Sequence, residues 1–268
     1  MGAKLGQHFL KNQEKIKKIV SALDIHDGET IIEIGPGHGE LTGELESRIQ
    51  NLESRIIAIE KDKTLSAELQ KRFKDDKKIK IIEGDVLKII PNFSRFYSLD
   101  SSSYKLVGNI PYYLTGKLLR LISEMKDLPS FTVLTIQKEV ALRITAKPPK
   151  MNILAAAVQF WAEPEIIDFI DKKSFEPQPK VDSAIIRLKT TEINREIASN
   201  YYQLIKILFR QPRKTVINNL KNYPFLDNKP NLVALKNKLA SVNILENARP
   251  QNISINAIKT LSLILYNE

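Results

Sequence analysis

Residues 33–39 read Glu-Ile-Gly-Pro-Gly-His-Gly and continue a β-branched run that begins at Thr30. Three alternate glycines between a strand and a helical pattern predict a tight turn whose backbone can approach a ligand closely. A dinucleotide-binding fingerprint needs glycine at position 40, where the chain has Glu40. No Gly-Lys-Ser or Gly-Lys-Thr follows, which excludes a Walker loop. A strand-to-helix turn without a ligand is the alternative interpretation.

Working outward from this turn, similar β-branched runs begin about every 25 residues, and segments with helical apolar spacing separate them. This alternation is typical of an α/β fold with a doubly wound parallel sheet and right-handed crossovers. Two later runs are expected to extend the sheet as an antiparallel pair. An initial helix is predicted from its N-cap at Asn12 to Leu23. The predicted strands are 30–34, 55–60, 79–83, 104–109, 131–136, 165–170 and 181–188.

After Thr191 only helical spacing remains. We therefore predict a domain boundary near residue 190, which divides the chain into an α/β domain, 1–190, and a helical domain, 191–268. The helical domain carries 11 basic and 5 acidic side chains. Its predicted helices are 201–209, 216–220, 232–239 and 255–265.

The amino-acid composition excludes several kinds of active site and favours one class of binding partner. The 268 residues include no cysteine and three histidines, so thiolate metal sites and cysteine nucleophiles are excluded and no metal site is expected. A formal charge of +10 favours a polyanionic partner such as nucleic acid, although a Lys-rich genomic composition would give the same balance. No apolar run approaches the ~20 residues that span a bilayer, and the N-terminus has no signal sequence. We expect a cytoplasmic protein with no membrane partner.

Two acidic residues follow consecutive predicted strands. Glu60 closes the second strand, and Asp85 comes directly after the third. In an open parallel sheet these positions face the ligand crevice, where Glu60 can accept ribose hydroxyls and Asp85 an adenine amine. Glu60 could instead be a solvated helix N-cap, but Asp62 suits that purpose better.

The end of the fourth strand carries the motif Asn109-Ile110-Pro111-Tyr112. The exocyclic amine of adenine is a poor nucleophile because its lone pair is delocalised into the ring. Two acceptors, the Asn109 side-chain oxygen and the Ile110 carbonyl, can bind its two N–H groups and favour a pyramidal nitrogen. Pro111 restrains the residue before it, and Tyr112 can stack on an extruded base. An Asn-x-Pro turn without a catalytic role is the alternative.

These motifs, in this order, closely resemble the ribosomal RNA adenine dimethyltransferases, and in particular the small-subunit enzymes linked to kasugamycin sensitivity in bacteria. The resemblance spans about residues 4 to 220. It also rests on Gly6 to Leu10, Gln137 to Ala141 and Phe175 to Ser183. It implies a Rossmann-like class I methyltransferase fold with a small helical C-terminal domain. It further implies S-adenosylmethionine as cofactor, S-adenosylhomocysteine as product, and dimethylation of the N6 amines of two adjacent adenosines near the 3′ end of small-subunit rRNA.

Carried over to this chain, the resemblance implies roles for individual residues. Asn109 would touch both the cofactor and the target amine, Phe175 would lie near the target base, and the enzyme would act as a monomer on the assembling small subunit. Two departures from the family pattern, Met151-Asn152 and Gln211-Pro212, put the loops around them in doubt. The implied cofactor-binding residues are His8, Leu10, Gly35, Gly37, Glu60, Asp85 and Asn109, and the implied RNA-binding residues of the helical domain are Arg210, Arg213 and Lys214.

Three other interpretations remain open. The related large-subunit enzymes that confer macrolide resistance share most of these motifs, although Lys180 to Ala184 and Arg213-Lys214 favour the small-subunit group. A DNA adenine methyltransferase would typically have two consecutive prolines where this chain has Pro111 alone. The chain could also be a non-catalytic RNA-binding assembly factor, against which the intact Asn109 to Tyr112 motif argues.

Overall fold

The computed structural model of the chain describes residues 6–93, 104–221 and 232–266. The chain folds into two compact units. The first comprises Met1–Ala141 and Pro164–Thr190, and the second Leu142–Glu163 and Thr191–Glu268. The predicted boundary near residue 190 coincides with the last junction between the units. A single cut there assigns Leu142–Glu163 to the first domain, whereas this segment packs in the second unit.

The first unit is built on a seven-stranded sheet with the strand order β4-β3-β2-β5-β6-β9-β7. The first five strands of this order, from β4 at the edge to β6, are parallel to one another. Strand β9 runs antiparallel to β6. This is the doubly wound arrangement that the repeated β-branched runs predict, because such side chains pack well on a sheet covered on both faces. The strands are β2 (Thr30–Ile34), β3 (Arg55–Glu60), β4 (Ile79–Glu83), β5 (Tyr104–Asn109), β6 (Phe131–Gln137), β7 (Ala162–Ile170) and β9 (Ser183–Thr190).

Among the described residues, five helices of this unit follow its strands or precede them, and a sixth, Lys138–Ile144, begins in this unit and ends in the second. Helix α1 begins after Asn12, whose side chain accepts from the Lys15 N–H at 3.1 Å, as the predicted N-cap requires. The apolar faces of α1 and α2 contribute Ile16, Ile19 and Leu45 to the core, each at most 1% exposed. The helices are α1 (Gln13–Ala22), α2 (Glu40–Ile49), α3 (Lys63–Arg72), α4 (Val86–Ile89), α5 (Thr115–Glu124) and α6 (Lys138–Ile144).

A second, two-stranded sheet was not predicted. It joins β1 (Phe9–Leu10) to β8 (Phe175–Glu176) in antiparallel register, with Leu10 opposite Phe175. Two-residue strands are too short to show an alternating pattern, so no sequence periodicity could reveal them. The pairing ties the N-terminal segment to the loop after β7 within the same unit.

The second unit consists of helices. Helix α8 packs against α7, α9 and α11, and its Tyr201 hydroxyl donates to the Ala156 carbonyl at 2.8 Å. The departure at Met151-Asn152 is accommodated here: Met151 is buried, and Asn152 caps α7 by accepting from the Leu154 N–H at 3.1 Å. The helices are α7 (Ile153–Gln159), α8 (Ala198–Leu208), α9 (Val216–Leu220), α10 (Leu232–Ser241) and α11 (Ile255–Tyr266).

Within the three described ranges, no helix is both long and apolar enough to cross a membrane.

Candidate functional site

A cavity of about 210 Å³ lies in the first unit, where the turns after β2, β3, β4 and β5 converge. This volume is several times the roughly 30 Å³ that one water molecule occupies, so the cavity is the size of a ligand site and not of a packing defect. The structure brings all seven residues predicted to bind the cofactor to its walls: His8, Leu10, Gly35, Gly37, Glu60, Asp85 and Asn109.

The glycine turn after β2 forms one wall of the cavity. Gly35 and Gly37 have φ angles of 64° and 60°, a region that side chains other than glycine rarely adopt. A Cβ on Gly35 would meet no atom within 4 Å, whereas one on Gly37 would lie 2.7 Å from the Phe9 ring. The backbone at Gly35 is thus open to a ligand, and Gly37 lets the N-terminal segment approach the turn.

Glu33 lies in the cavity wall, although the sequence did not indicate an individual role for it. Its Oε2 accepts from the Thr42 hydroxyl at 2.7 Å, and its Oε1 is buried without a hydrogen-bond partner among the described residues. Burial raises the pKa of Glu33 to about 8, with a smaller contribution from the charges of Glu60 and Glu40. A neutral carboxyl group with one unpaired oxygen therefore lies in the cavity wall at neutral pH.

Glu60 is buried, and both of its carboxylate oxygens accept backbone hydrogen bonds. The Gly37 N–H donates to Oε2 at 3.0 Å, and the Asp62 N–H donates to Oε1 at 2.8 Å. Asp62 is the N-cap of helix α3, so the cap is Asp62 and not Glu60, as expected from the sequence. Each oxygen of Glu60 keeps a second lone pair for a ligand hydroxyl, and the bond to Gly37 holds the glycine turn against the end of β3.

Asp85 has a second partner that the sequence did not indicate. Its Oδ1 accepts from the Leu87 N–H at 3.0 Å and so caps helix α4, while its Oδ2 accepts from Lys61 Nζ at 2.9 Å. The hydrogen bond from Lys61 keeps the pKa of Asp85 below its usual value. The pKa of Lys61 is raised, chiefly by Asp85 and to a smaller extent by Tyr113. A ligand amine at Asp85 thus meets an ionised carboxylate that is already oriented.

Asn109 ends β5 with its side-chain orientation fixed. Its Nδ2 donates to the His8 carbonyl at 2.8 Å, so its Oδ1 must face the other way. Neither Asn109 Oδ1 nor the Ile110 carbonyl accepts a hydrogen bond from any residue that the structure describes. The two acceptors predicted to bind an exocyclic amine are consecutive in the chain and both are available.

The rest of the motif turns the chain away from the sheet. Pro111 lines the cavity, and a short 3₁₀ turn, Tyr112–Leu114, leads into α5. The Tyr112 hydroxyl is hydrogen-bonded to Ser183 Oγ at 2.7 Å, and its ring lies 5.8 Å from the His8 ring. Ile110 is buried, and neither Ile110 nor Tyr112 is among the residues that line the cavity.

The N-terminal segment covers one side of the cavity. His8 Nδ1 is hydrogen-bonded to the Pro177 carbonyl at 2.7 Å, and the Lys11 N–H donates to the Ser174 carbonyl at 2.9 Å. The Lys11 ammonium also forms an ion pair with Glu40, at the start of α2. These hydrogen bonds hold the N-terminal segment, which lines the cavity through His8 and Leu10, against residues 174–177, which do not line it.

Phe175, like Ile110 and Tyr112, is a predicted site residue that does not line the cavity. Its side chain is 5% exposed and belongs to the hydrophobic core of the first unit, beside Leu10 on the paired strand. The ring packs with core side chains because the antiparallel pairing of β1 and β8 turns it inward. A contact between Phe175 and the target base stays a prediction.

The predicted RNA-binding residues lie in the second unit, on the turn between α8 and α9. Arg210, Arg213 and Lys214 are exposed, and no ion pair joins them to an acid in the described part of the chain. The buried Asn219 donates through Nδ2 to the carbonyls of Gln211 and Thr215, each at 3.1 Å. This amide shapes the turn that carries the Gln211-Pro212 departure and directs the basic side chains to solvent.

No group of three or more histidine, aspartate and glutamate side chains is arranged to hold a metal ion within residues 6–93, 104–221 and 232–266.

The chain is similar to a known protein family and to named proteins of several bacteria. The family model described as Ribosomal RNA adenine dimethylase matches residues 2–260. Proteins named Ribosomal RNA small subunit methyltransferase A are similar over nearly the whole chain. The one from Fusobacterium nucleatum is 36% identical, over 94% of this chain and 92% of its own length. The one from Mycoplasma mycoides is 35% identical, over 97% and 96%.

Two solved structures share the fold. A dimethyladenosine transferase from Plasmodium falciparum has a TM-score of 0.80 at 24% identity and covers 97% of this chain and 98% of its own. The 23S rRNA methyltransferase ErmE has a TM-score of 0.73 at 21% identity, over 96% and 99%. The seven-stranded sheet and the helical second unit are therefore those of a Rossmann-like methyltransferase.

Proposed function

The chain belongs to the ribosomal RNA adenine dimethylase family, and we propose that it transfers methyl groups from S-adenosylmethionine to the N6 amines of two adjacent adenosines near the 3′ end of small-subunit rRNA. The observation that carries this proposal is the pair of available acceptors at the end of β5, Asn109 Oδ1 and the Ile110 carbonyl, of which Asn109 lines a ligand-sized cavity. The relatives named for small-subunit methylation favour that subunit over the large one.

The cavity residues fit S-adenosylmethionine. Gly35 offers an open backbone cradle that a Cβ would fill, and Glu33 Oε1 is an orphaned polar atom in the same wall. Glu60 would bind the ribose hydroxyls and Asp85 the adenine amine, while His8 and Leu10 would border the cofactor. When bound, S-adenosylmethionine supplies an electrophilic methyl group on a positively charged sulfur.

Asn109 and Ile110 would make the target nitrogen reactive. Each accepts one N–H of the exocyclic amine, which draws the nitrogen out of conjugation and frees its lone pair. The Nδ2 bond to the His8 carbonyl prevents the Asn109 amide from flipping, so the acceptor is in place before the substrate arrives. Preorganised polar contacts of this kind are worth roughly 10² to 10³ in rate.

Tyr112 would bind the target base. Its ring is held by the hydroxyl bond to Ser183 and stays half-buried, which suits a rigid face for an extruded adenine. Pro111 fixes the direction in which the chain leaves β5, so the ring and the Ile110 carbonyl keep one relative position.

The basic turn of the second unit would contact RNA phosphates through Arg210, Arg213 and Lys214. Their exposure and the lack of nearby ion pairs among the described residues leave their charges available to a polyanion. Since ribosomal RNA is the proposed substrate, we expect the enzyme to act in the cytoplasm, as a monomer, on the assembling small subunit.

Transfer of label from S-adenosylmethionine to separated ribosomal subunits tests this function. Both subunits are prepared from cells in which the small-subunit adenosines are unmodified. We expect label in the small-subunit RNA and background in the large-subunit RNA. Label in the large subunit would assign the chain to the large-subunit enzymes, and tight RNA binding without any transfer would make it a non-catalytic assembly factor.

A further inference from the structure

Two consecutive tyrosines occupy opposite environments at the end of the catalytic motif. Tyr112 is half-buried, with its hydroxyl bonded to Ser183. Tyr113 is 59% exposed, lines the mouth of the cavity, and has no hydrogen-bond or ring partner in the described part of the chain. In a 3₁₀ turn consecutive side chains point about 120° apart, so the two rings face different surroundings.

Two lysines line the cavity together with Tyr113. Lys117, one turn further on, is exposed, lines the same mouth, and has no ion-pair partner among the described residues. Lys61 also lines the cavity, but its charge is balanced by Asp85 at 2.9 Å. A Cβ added at Gly6 would lie 3.9 Å from Tyr113 Cδ1, so the N-terminal segment passes near the ring. An exposed aromatic ring beside a cation that has no ion-pair partner among the described residues is the combination that binds single-stranded nucleic acid.

We propose that Tyr113 and Lys117 form a second nucleotide subsite, in which the Tyr113 ring stacks on the base next to the target adenosine and Lys117 binds a neighbouring phosphate. This inference rests on the proposed function, because it names how the same site holds its RNA. Extrusion of the target adenosine deprives its neighbour of a stacking partner, and Tyr113 replaces that partner.

A nucleobase explains the exposure of Tyr113 better than the cofactor does. A small molecule in the cavity buries most of its own surface and contacts side chains that face inward. More than half of the Tyr113 side chain faces solvent, so its free face meets a ligand that extends beyond the mouth. The charge of Lys117 matches a phosphate backbone.

Binding of a short RNA stem-loop with two adjacent adenosines, followed by fluorescence anisotropy, tests the subsite. The enzyme is compared as wild type, Y113F and Y113L, each with the intact RNA and with RNAs that are abasic at one adenosine or the other. We expect Y113L to weaken binding of intact RNA about fivefold or more, the lower end of what base–aromatic stacking contributes. Y113F, which keeps the ring, should bind within about twofold of wild type.

The abasic RNAs separate stacking from a general loss of structure. Removal of the base that lies on Tyr113 should weaken wild-type binding about as much as Y113L does and should weaken Y113L binding little further. The K117Q variant should make log affinity less steep against log salt by about one unit. F169L is the matched control, since Phe169 is an exposed aromatic residue of the same unit, 42% exposed and 5.0 Å from Lys138 Nζ, and lies outside the cavity wall.

Equal weakening of Y113L with all three RNAs, or no weakening at all, would overturn the subsite. A loss of S-adenosylmethionine affinity in Y113L with unchanged RNA binding would instead make Tyr113 part of the cofactor wall. The comparison of protein variants with intact and abasic RNAs measures binding alone and does not require methyl transfer. An enzyme that couples Tyr113 to a base but transfers no methyl group would therefore refute the proposed function and keep the subsite.

Discussion

Replacement of Glu33 by glutamine should change how the stability of the fold depends on pH. The pKa of Glu33 is raised to about 8 by burial, from an ordinary value of 4.5. Between these two values the folded protein keeps a proton that the unfolded chain releases. The stability contributed by the protonated group is complete below about pH 4.5 and is lost as the pH rises through about 8.

The size of the effect follows from the shift in pKa. One proton bound only in the folded state lowers the free energy of unfolding by up to about 1.4 kcal/mol per pH unit, which reaches an upper limit of about 5 kcal/mol over this range. In Glu33→Gln this slope should disappear, because the amide does not ionise and its oxygen can still accept from Thr42. At pH 5 the variant should be about as stable as the wild type.

Urea unfolding followed by circular dichroism between pH 5 and 8.5 measures this difference. The matched control is Glu40→Gln, a second acid of the cavity wall that is partly exposed and paired with Lys11. The control should keep the decline in stability, although loss of the Glu40 charge lowers the pKa of Glu33 slightly and shortens the range over which the decline occurs. A wild-type curve without a decline, or the same decline in Glu33→Gln, would show that Glu33 is ionised at neutral pH and that the cavity wall is charged.

The other predictions concern the cofactor, the amine and the RNA. Asp85→Ala should weaken S-adenosylmethionine binding about tenfold or more by calorimetry, since loss of a polar contact costs roughly 1 to 3 kcal/mol; unchanged affinity in the folded variant would remove Asp85 from the site. Asn109→Ala should lower the single-turnover methylation rate by on the order of 10²-fold with little change in RNA affinity, and rates within about twofold of wild type would contradict the proposed contacts to the amine. Replacement of Arg213 and Lys214 by alanine should weaken RNA binding and reduce the slope of log affinity against log salt by about one unit per contact, with S-adenosylmethionine affinity unchanged. An unchanged slope would place the RNA-binding surface elsewhere.

The sheet was predictable from the sequence because its order arises from local patterns. Strands β2 to β5 begin and end where the β-branched runs do, and their carboxyl ends meet at one edge by the geometry of parallel strands. That geometry is why residues as distant as Gly35, Glu60, Asp85 and Asn109 could be expected in one cavity from their positions after strands.

Contacts that depend on how separate segments align in the fold were not predictable from the sequence. Lys61 meets Asp85 because β3 and β4 pair with Glu60 opposite Glu83, a register that neither segment specifies alone. The core position of Phe175 depends on a two-residue strand, and the segment Leu142–Glu163 joins the helical unit although it lies between two sheet strands in sequence. Tyr112 and Tyr113 are identical residues in the chain, and only the fold distinguishes their surroundings.

The nucleoside formed in small-subunit RNA tests the central claim most directly. Unmodified small subunits are incubated with S-adenosylmethionine and either wild-type enzyme or Asn109→Ala, and the digested RNA is analysed by mass spectrometry. We expect the wild type to convert two adjacent adenosines to N6,N6-dimethyladenosine and the variant to leave them largely unmodified. Methylation at a ring nitrogen, at cytosine or at ribose, or full dimethylation by Asn109→Ala, would contradict the assignment of Asn109 and Ile110 as the acceptors of an adenine amine.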